Sequence, residues 1–397
     1  MVDVTIVYQA DPLGKIAGGI DSFIRGILRW APEDIDFSLI GVTTDPELRP
    51  VGKWTYCSVG GKEYRFFPVL NYSNPSKRGM VPLVVRFIAG ILRYQPHHLG
   101  DIIEFHRIEP SVIFYYDPRP KTIVFHSSVF DLYYRNSDIL WCRFPRLYLL
   151  IQDILIGRFS TIYSVREDVV TWYRERYHKI GDRFRFTPTW YEPEVFSALD
   201  SVKRCEIRKS IDVLQDDRMI VTVGRLDKSK DPILLLDAAL ELFKKSSNIK
   251  LVYVGDGVLR SVIENKIRSY GLNERVVITG ILSPDKVAEI VGSADVFALS
   301  SAYENMPICI LESLACGVPV VSMDVGEVKR VVKNGLNGVV VKERNSKSFA
   351  DAIEEVLEYS RKYSGRPCID SVADYQPQRV LAPIYENYRR LYGGLNR

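Results

Sequence analysis

The sequence predicts a two-part α/β protein in which each part is a doubly wound, Rossmann-like parallel sheet. Three observations predict it. Short β-branched runs alternate with helix-period segments, the runs are apolar throughout as strands covered on both faces must be, and 397 residues exceed what one core holds. At 46% hydrophobic and 26% charged residues, the composition excludes a disordered or fibrous chain.

In the first half, strands are expected over residues 4–8, 37–41, 102–105, 112–116, 122–126 and 161–165, and helices over 19–30, 81–94, 144–156 and 167–177. The stretch 187–217, with Pro188, Pro193 and a charged run, reads as a linker. The second half repeats the alternation more regularly. Strands are expected over 219–224, 250–254, 275–279, 295–299, 318–322 and 338–341, with helices over 232–245, 259–270, 285–292, 308–315, 327–333 and 346–359. This gives a first domain over 1–195, completed by a C-terminal helix over 378–392, and a second domain over 205–376. Two such domains facing each other would share an interdomain cleft at the carboxyl ends of their strands, where sheets of this type bind ligands.

A net charge of +4 is too small to argue for nucleic-acid binding. Between Arg49 and Gly100, however, eight basic residues meet only Glu63. Within that stretch, residues 81–94 fit either a basic amphipathic helix resting on anionic lipid or an ordinary domain helix with two solvated arginines. The six cysteines are scattered without paired spacing, which suits a reducing cytoplasm. The start, Met1 to Tyr8, reads as a strand and not as a signal peptide, and no apolar run reaches membrane-spanning length.

Candidate site residues cluster after the predicted strands. Gly18 and Gly19 precede a helix, an arrangement that fits a phosphate resting on backbone N–H groups or a plain flexible turn. Gly224-Arg225 and Lys230 follow a strand and lead into a helix at Pro232. Two cations there suit a diphosphate; a solvated turn with an Arg225–Asp227 or Lys230–Asp231 pair is the alternative. Glu304-Asn305-Met306-Pro307 lies ahead of a helix that contains Glu312. Carboxylates only accept hydrogen bonds, so this acid pair suits the hydroxyls of a ribose and a hexose. His126 and His106 end strands of the first half; no histidine has metal-site spacing with a carboxylate, so no metal is assigned. Asp34-Ile35-Asp36 reads as a surface turn, and Gly255-Asp256-Gly257 as a tight turn whose backbone can line a nucleotide.

Taken in order, Gly224-Arg225-Leu226 with Lys230, Gly255-Asp256-Gly257, Thr279-Gly280, Ala294-Asp295-Val296 and Glu304 to Pro319 resemble the retaining GT-B glycosyltransferases of family four, over roughly Val221 to Glu358. The first half is similar only at Gly18-Gly19 and His126. The resemblance implies that Arg225 and Lys230 hold the donor diphosphate, Glu312 takes the ribose hydroxyls and Glu304 the transferred sugar. It further implies that Gly19 touches the diphosphate, that His126 bonds the sugar near the reacting carbon, and that the backbone around Gly280 and Ile281 meets the base. Two departures stand out. Pro188 to Pro193 replaces the usual Asn-Gly-Val-Asp run, and Asn305 replaces the glycine common after the first glutamate.

The expected function is transfer of a hexose from a nucleoside-diphosphate sugar to an acceptor hydroxyl with retention, without metal or other cofactor. The acceptor is expected to be a glycolipid or oligosaccharide of surface polysaccharide assembly, and the location the cytoplasm with a peripheral seat on its membrane. A sugar-nucleotide epimerase, a phosphorylase and a non-catalytic nucleotide-sugar-binding subunit are the competing readings.

Overall fold

The computed structural model describes residues 1–14, 19–73, 81–129 and 140–395. Gly18 lies outside the described residues. The chain divides into one unit of Met1–Pro188 with Pro377–Arg397 and a second of Thr189–Gln376.

The first unit contains β1 (Val2–Val7), β2 (Ile35–Thr43), β3 (Thr55–Val59), β4 (Lys62–Asn71), β5 (Ile102–Phe105), β6 (Lys121–Phe125), β7 (Thr161–Ser164) and β8 (Phe184–Phe186). Between them run α1 (Gly19–Arg29), α2 (Leu83–Tyr94), α3 (Pro145–Leu155) and α4 (Glu167–Arg176). The strands form one sheet in the order β3-β4-β2-β1-β5-β6-β7-β8, parallel except for the β3–β4 hairpin. Gly60 and Gly61, at φ 59° and 80°, make its two-residue turn. Phe87 and Ile91 of α2, Leu155 of α3 and Tyr173 of α4 join Val7, Ile40, Phe67, Phe105 and Ile123 in one core.

The second unit contains α5 (Ser201–Ser210), β9 (Arg218–Val223), α6 (Pro232–Lys245), β10 (Ile249–Val254), α7 (Arg260–Ser269), β11 (Val276–Ile278), α8 (Pro284–Gly292), β12 (Val296–Leu299), α9 (Ile308–Ala315), β13 (Val320–Met323), α10 (Val328–Val331), β14 (Gly338–Val341), α11 (Ser346–Glu358), α12 (Ser360–Tyr363) and α13 (Arg366–Ser371). Its sheet is wholly parallel in the order β11-β10-β9-β12-β13-β14. Met219 and Val221 enter one core while Ile220 enters the other, and Phe297 and Leu299 part likewise from Val296 and Ala298. Successive side chains of a strand face opposite ways, so both faces of this sheet are covered.

Helix α14 (Pro377–Leu395) belongs to the first unit. Tyr385 Oη donates to Ile27 O at 2.8 Å, Thr161 Oγ1 to Asn387 Oδ1 at 3.2 Å, and Arg389 forks onto Asp34 at 2.6 and 2.7 Å.

Three expectations are corrected. Residues 112–116 are no strand: Glu109–Phe114 is a 3-10 turn opened by Pro110 and tied by Ser111 Oγ to Ile108 O at 2.7 Å. The boundary falls at Pro188 and not at 195, because Tyr191 and Phe196 are buried in a core of the second unit. The expected linker holds α5, capped by the Asp200 side chain and fixed by Arg204 and Arg208 on Asp295 at 2.6 and 3.1 Å. The basic stretch is also less charged at its surface than its composition suggests. Arg49 is buried against Asp11 at 2.8 Å, and Arg65 pairs with Asp3 at 2.6 Å. Among the described residues, no helix is long and apolar enough to cross a membrane.

Candidate active site

In the second unit, β9 and β12 are neighbours whose chains continue in opposite directions, to β10 on one side and to β13 on the other. Their carboxyl ends therefore part around a crevice, the topological switch point of a doubly wound sheet. Gly224, Arg225, Lys230, Ser300 and Ser301 line it.

The turn after β9 is shaped by its neighbours. Asp227 Oδ1 accepts from Ser229 N, Ser229 Oγ and Lys230 N at 2.9, 2.6 and 3.1 Å. Burial raises the Asp227 pKa, but these bonds and Arg225 outweigh it and hold the carboxyl below its ordinary value. Leu226 N donates to Asp256 O at 3.0 Å, which lays the Gly255-Asp256-Gly257 turn against the Arg225 loop. A Cβ on Gly255 would stand 2.0 Å from Gly224 O, so this close approach requires glycine there. Gly280 forms an isolated bridge with Gly255, and the side chain of Ile281 beside it is exposed.

Lys230 reaches across the crevice. Its Nζ donates to Glu304 Oε1, which also accepts from Ser301 Oγ at 2.7 Å. Burial works against the Lys230 charge, but Glu304 outweighs it and raises the pKa, so the ammonium persists. Arg225 is 77% exposed in its side chain and pairs with Asp227 at 3.1 Å, the bland ion pair considered from sequence. Lys230 does not pair with Asp231; Arg344, just beyond β14, does so at 2.6 Å and also donates to Ser300 O and Ser301 O at 3.0 and 2.9 Å.

The Glu304 loop is pinned from below. Glu327 N donates to Asn305 O at 2.9 Å, and a Cβ on Gly326, at φ 50°, would lie 2.2 Å from Asn305 O. Tyr303 Oη donates to Asn305 Oδ1 at 2.7 Å. Met306 is a core residue whose sulfur accepts from Thr189 N at 3.3 Å, and Pro307 is the N-cap of α9. Glu312 lies within α9. Burial pushes its carboxyl up to about 7, with the Glu192 carboxylate adding to the rise. Cys309 sits close enough to feel both Glu304 and Glu312, and burial foremost pushes its thiol up to about 12.

The first unit has its own switch point, between β1 and β5. Gly19 opens α1 and is exposed. His106 follows β5 and His126 follows β6; His106 Nδ1 and His126 Nε2 are 2.8 Å apart, and Phe23 lies edge-on to both rings. Burial, then His106, holds the His126 pKa well below its ordinary value, so the ring is neutral.

The sequence reading missed Ser301, Arg344, Gly326, Glu192 and Glu104. Glu104 carried one readable signal, a lone acid within the apolar strand Ile102-Ile103-Glu104-Phe105.

The glycosyl transferases group 1 family model matches residues 203–365. The alpha-D-kanosaminyltransferase of Streptomyces kanamyceticus is 34% identical over 157 residues, 39% of this chain and 40% of that protein. The matched part thus spans about two-fifths of the curated relatives' length. Sucrose-phosphate synthase of Thermosynechococcus elongatus superposes with a TM-score of 0.79 at 18% identity, covering 99% of this chain and 100% of that one. Anabaena HepE in complex with UDP-glucose superposes at 0.72 and 16% identity, covering 98% and 100%. Each unit is a Rossmann-like domain, and the fold is GT-B.

Proposed function

We propose that the chain is a retaining glycosyltransferase that moves a hexose from a nucleoside-diphosphate sugar to an acceptor hydroxyl. The observation that carries the reading is the convergence of Lys230 and Glu304 at the β9–β12 switch point, with Arg225 at its rim and Glu312 in the helix that follows the Glu304 loop. Arg225 and Lys230 bind the diphosphate, Glu304 and Asn305 the hexose, and Glu312 the ribose. The backbone of Gly255, Gly280 and Ile281 meets the base. The first unit contributes the Gly19 amide and His126 to the donor and selects the acceptor.

Breaking the glycosidic bond builds negative charge on the leaving diphosphate. Arg225 and Lys230 stabilise that charge where it develops, so the reading calls on no metal or further cofactor. The acceptor hydroxyl attacks the face the diphosphate leaves, a phosphate oxygen takes its proton, and the anomeric configuration is kept. The UDP-glucose held by HepE supports the donor class. We further propose a lipid-linked or oligosaccharide acceptor of surface polysaccharide assembly, reached in the cytoplasm at an anionic membrane. Exposed Val85 and Leu92 beside exposed Arg93 on α2 support that seat.

The test is a thermal-shift panel of nucleoside diphosphates and their hexose conjugates, followed by NMR of the product anomer. A binder of the native state raises apparent stability. The reading predicts that one nucleotide family stabilises the protein and that the product keeps the donor's configuration. Silence toward all of them, or an inverted product, overturns it.

A further inference from the structure

Two buried polar atoms of the first unit face each other with no other partner. Glu104 Oε1 and His106 Nε2 are 3.3 Å apart, both side chains are fully buried, and neither atom makes a hydrogen bond, to the other or to any third group. Buried polar atoms are almost always satisfied, so each is the other's complement. Glu104 and His106 stand two residues apart and share one face of the chain as it leaves β5. The other carboxylate oxygen, Oε2, accepts from Thr122 Oγ1 at 3.1 Å and from Tyr388 Oη of α14. Beyond His106 the row continues to His126, Nδ1 to Nε2 at 2.8 Å.

We propose that Glu104 is a positioning residue that fixes the tautomers of both histidines. A carboxylate oxygen with no proton of its own can only accept, and Glu104 Oε1 in that role places the proton of His106 on Nε2. His106 Nδ1 is then an acceptor, His126 Nε2 must donate to it, and His126 keeps an unprotonated Nδ1. The row thus converts one buried acceptor into the orientation of the proton on His126. The inference rests on the proposed contact between His126 and the transferred sugar. An unprotonated Nδ1 accepts from a sugar hydroxyl, whereas the other tautomer would require an acceptor oxygen there.

The experiment is long-range 1H–15N correlation on the full chain labelled at histidine, near neutral pH and without ligand. The expected spectrum shows both His106 and His126 with a pyrrole-like Nε2 and a pyridine-like Nδ1. In Glu104→Gln, whose side chain can also donate, the His106 pattern shifts toward Nδ1–H and that of His126 follows. A His106 protonated on Nδ1 or on both nitrogens in the wild type, or a Glu104→Gln spectrum unchanged from it, overturns the proposal. The wild-type spectrum decides the proton's place even where Glu104→Gln fails to fold. Calorimetry with UDP and UDP-glucose then reads the functional arm. Glu104→Gln loses about fivefold in affinity for the sugar nucleotide and none for UDP, the scale of one neutral hydrogen bond. Failure of the sugar reading would show separately, as a His126→Ala variant that binds both ligands like the wild type.

Discussion

Lys230 and Glu304, 74 residues apart in sequence, meet as an ion pair between the loops that follow two neighbouring strands. A diphosphate entering the crevice competes with Glu304 for the ammonium, and the sugar it carries offers Glu304 hydroxyls in exchange. Lys230→Ala should lower nucleoside-diphosphate affinity about tenfold or more, while Glu304→Gln should keep it and lose turnover. Titration calorimetry beside single-turnover transfer separates the two. Undiminished nucleotide binding by Lys230→Ala would remove the lysine from the site.

Arg225 is exposed and makes a single surface pair with Asp227, so it contributes little to folding. Arg225→Ala is expected to leave the melting temperature within about 1–2 °C of the wild type, in keeping with an effect under about 0.5 kcal/mol. Donor affinity should nevertheless fall, and the contrast between a melting curve and a binding isotherm checks it.

Glu312 titrates up to about 7 in the fold, against 4.5 for the free side chain. The folded protein therefore binds more protons than the unfolded chain between these values, and stability from this group declines as pH rises through that window and levels off above it. Ribose hydroxyls donate more strongly to the ionised form, which accepts on both oxygens, so nucleotide affinity should run the opposite way, falling by up to about tenfold per pH unit below 7. Glu312→Gln should flatten both slopes; urea unfolding and calorimetry at pH 5, 6, 7 and 8 measure them.

Gly255→Ala places a methyl against Gly224 O, where the gap is 2.0 Å. The Arg225 loop has to move, at a cost of about 1–3 kcal/mol. Urea denaturation should show the loss, and nucleotide affinity should drop with it although residue 255 offers no side chain to a ligand. A variant with wild-type stability and binding would mean that the turn is softer than its contacts imply.

The second unit was the more legible half because its strands are continuous apolar runs, and β14 and α9 occur over the residues read from sequence. The β3–β4 hairpin was missed although Gly60-Gly61 is a two-residue hairpin signal, since Tyr56, Ser58 and Glu63 interrupt the apolar pattern around it. Val112 to Phe114 misled for the opposite reason: an apolar run of that length fits a strand or a buried turn equally, and Pro110 decided the matter. At the site, sequence marked the groups that follow strands. It was silent on those that reach in from afar, such as Arg344, 113 residues from Asp231, and on the distant partners of Glu104, Thr122 and Tyr388.

Helix α14 supplies Tyr385, Asn387 and Tyr388 to the buried interior of the first unit. Residues translated after the second unit therefore complete the unit translated before it. On the ribosome the first unit's sheet must wait, incomplete, through translation of residues 189–376, and a nonsense codon shortly before Pro377 would release a product with the second unit whole and the first uncovered. Quality control of this chain, and any tag placed directly after α14, thus acts on the first unit.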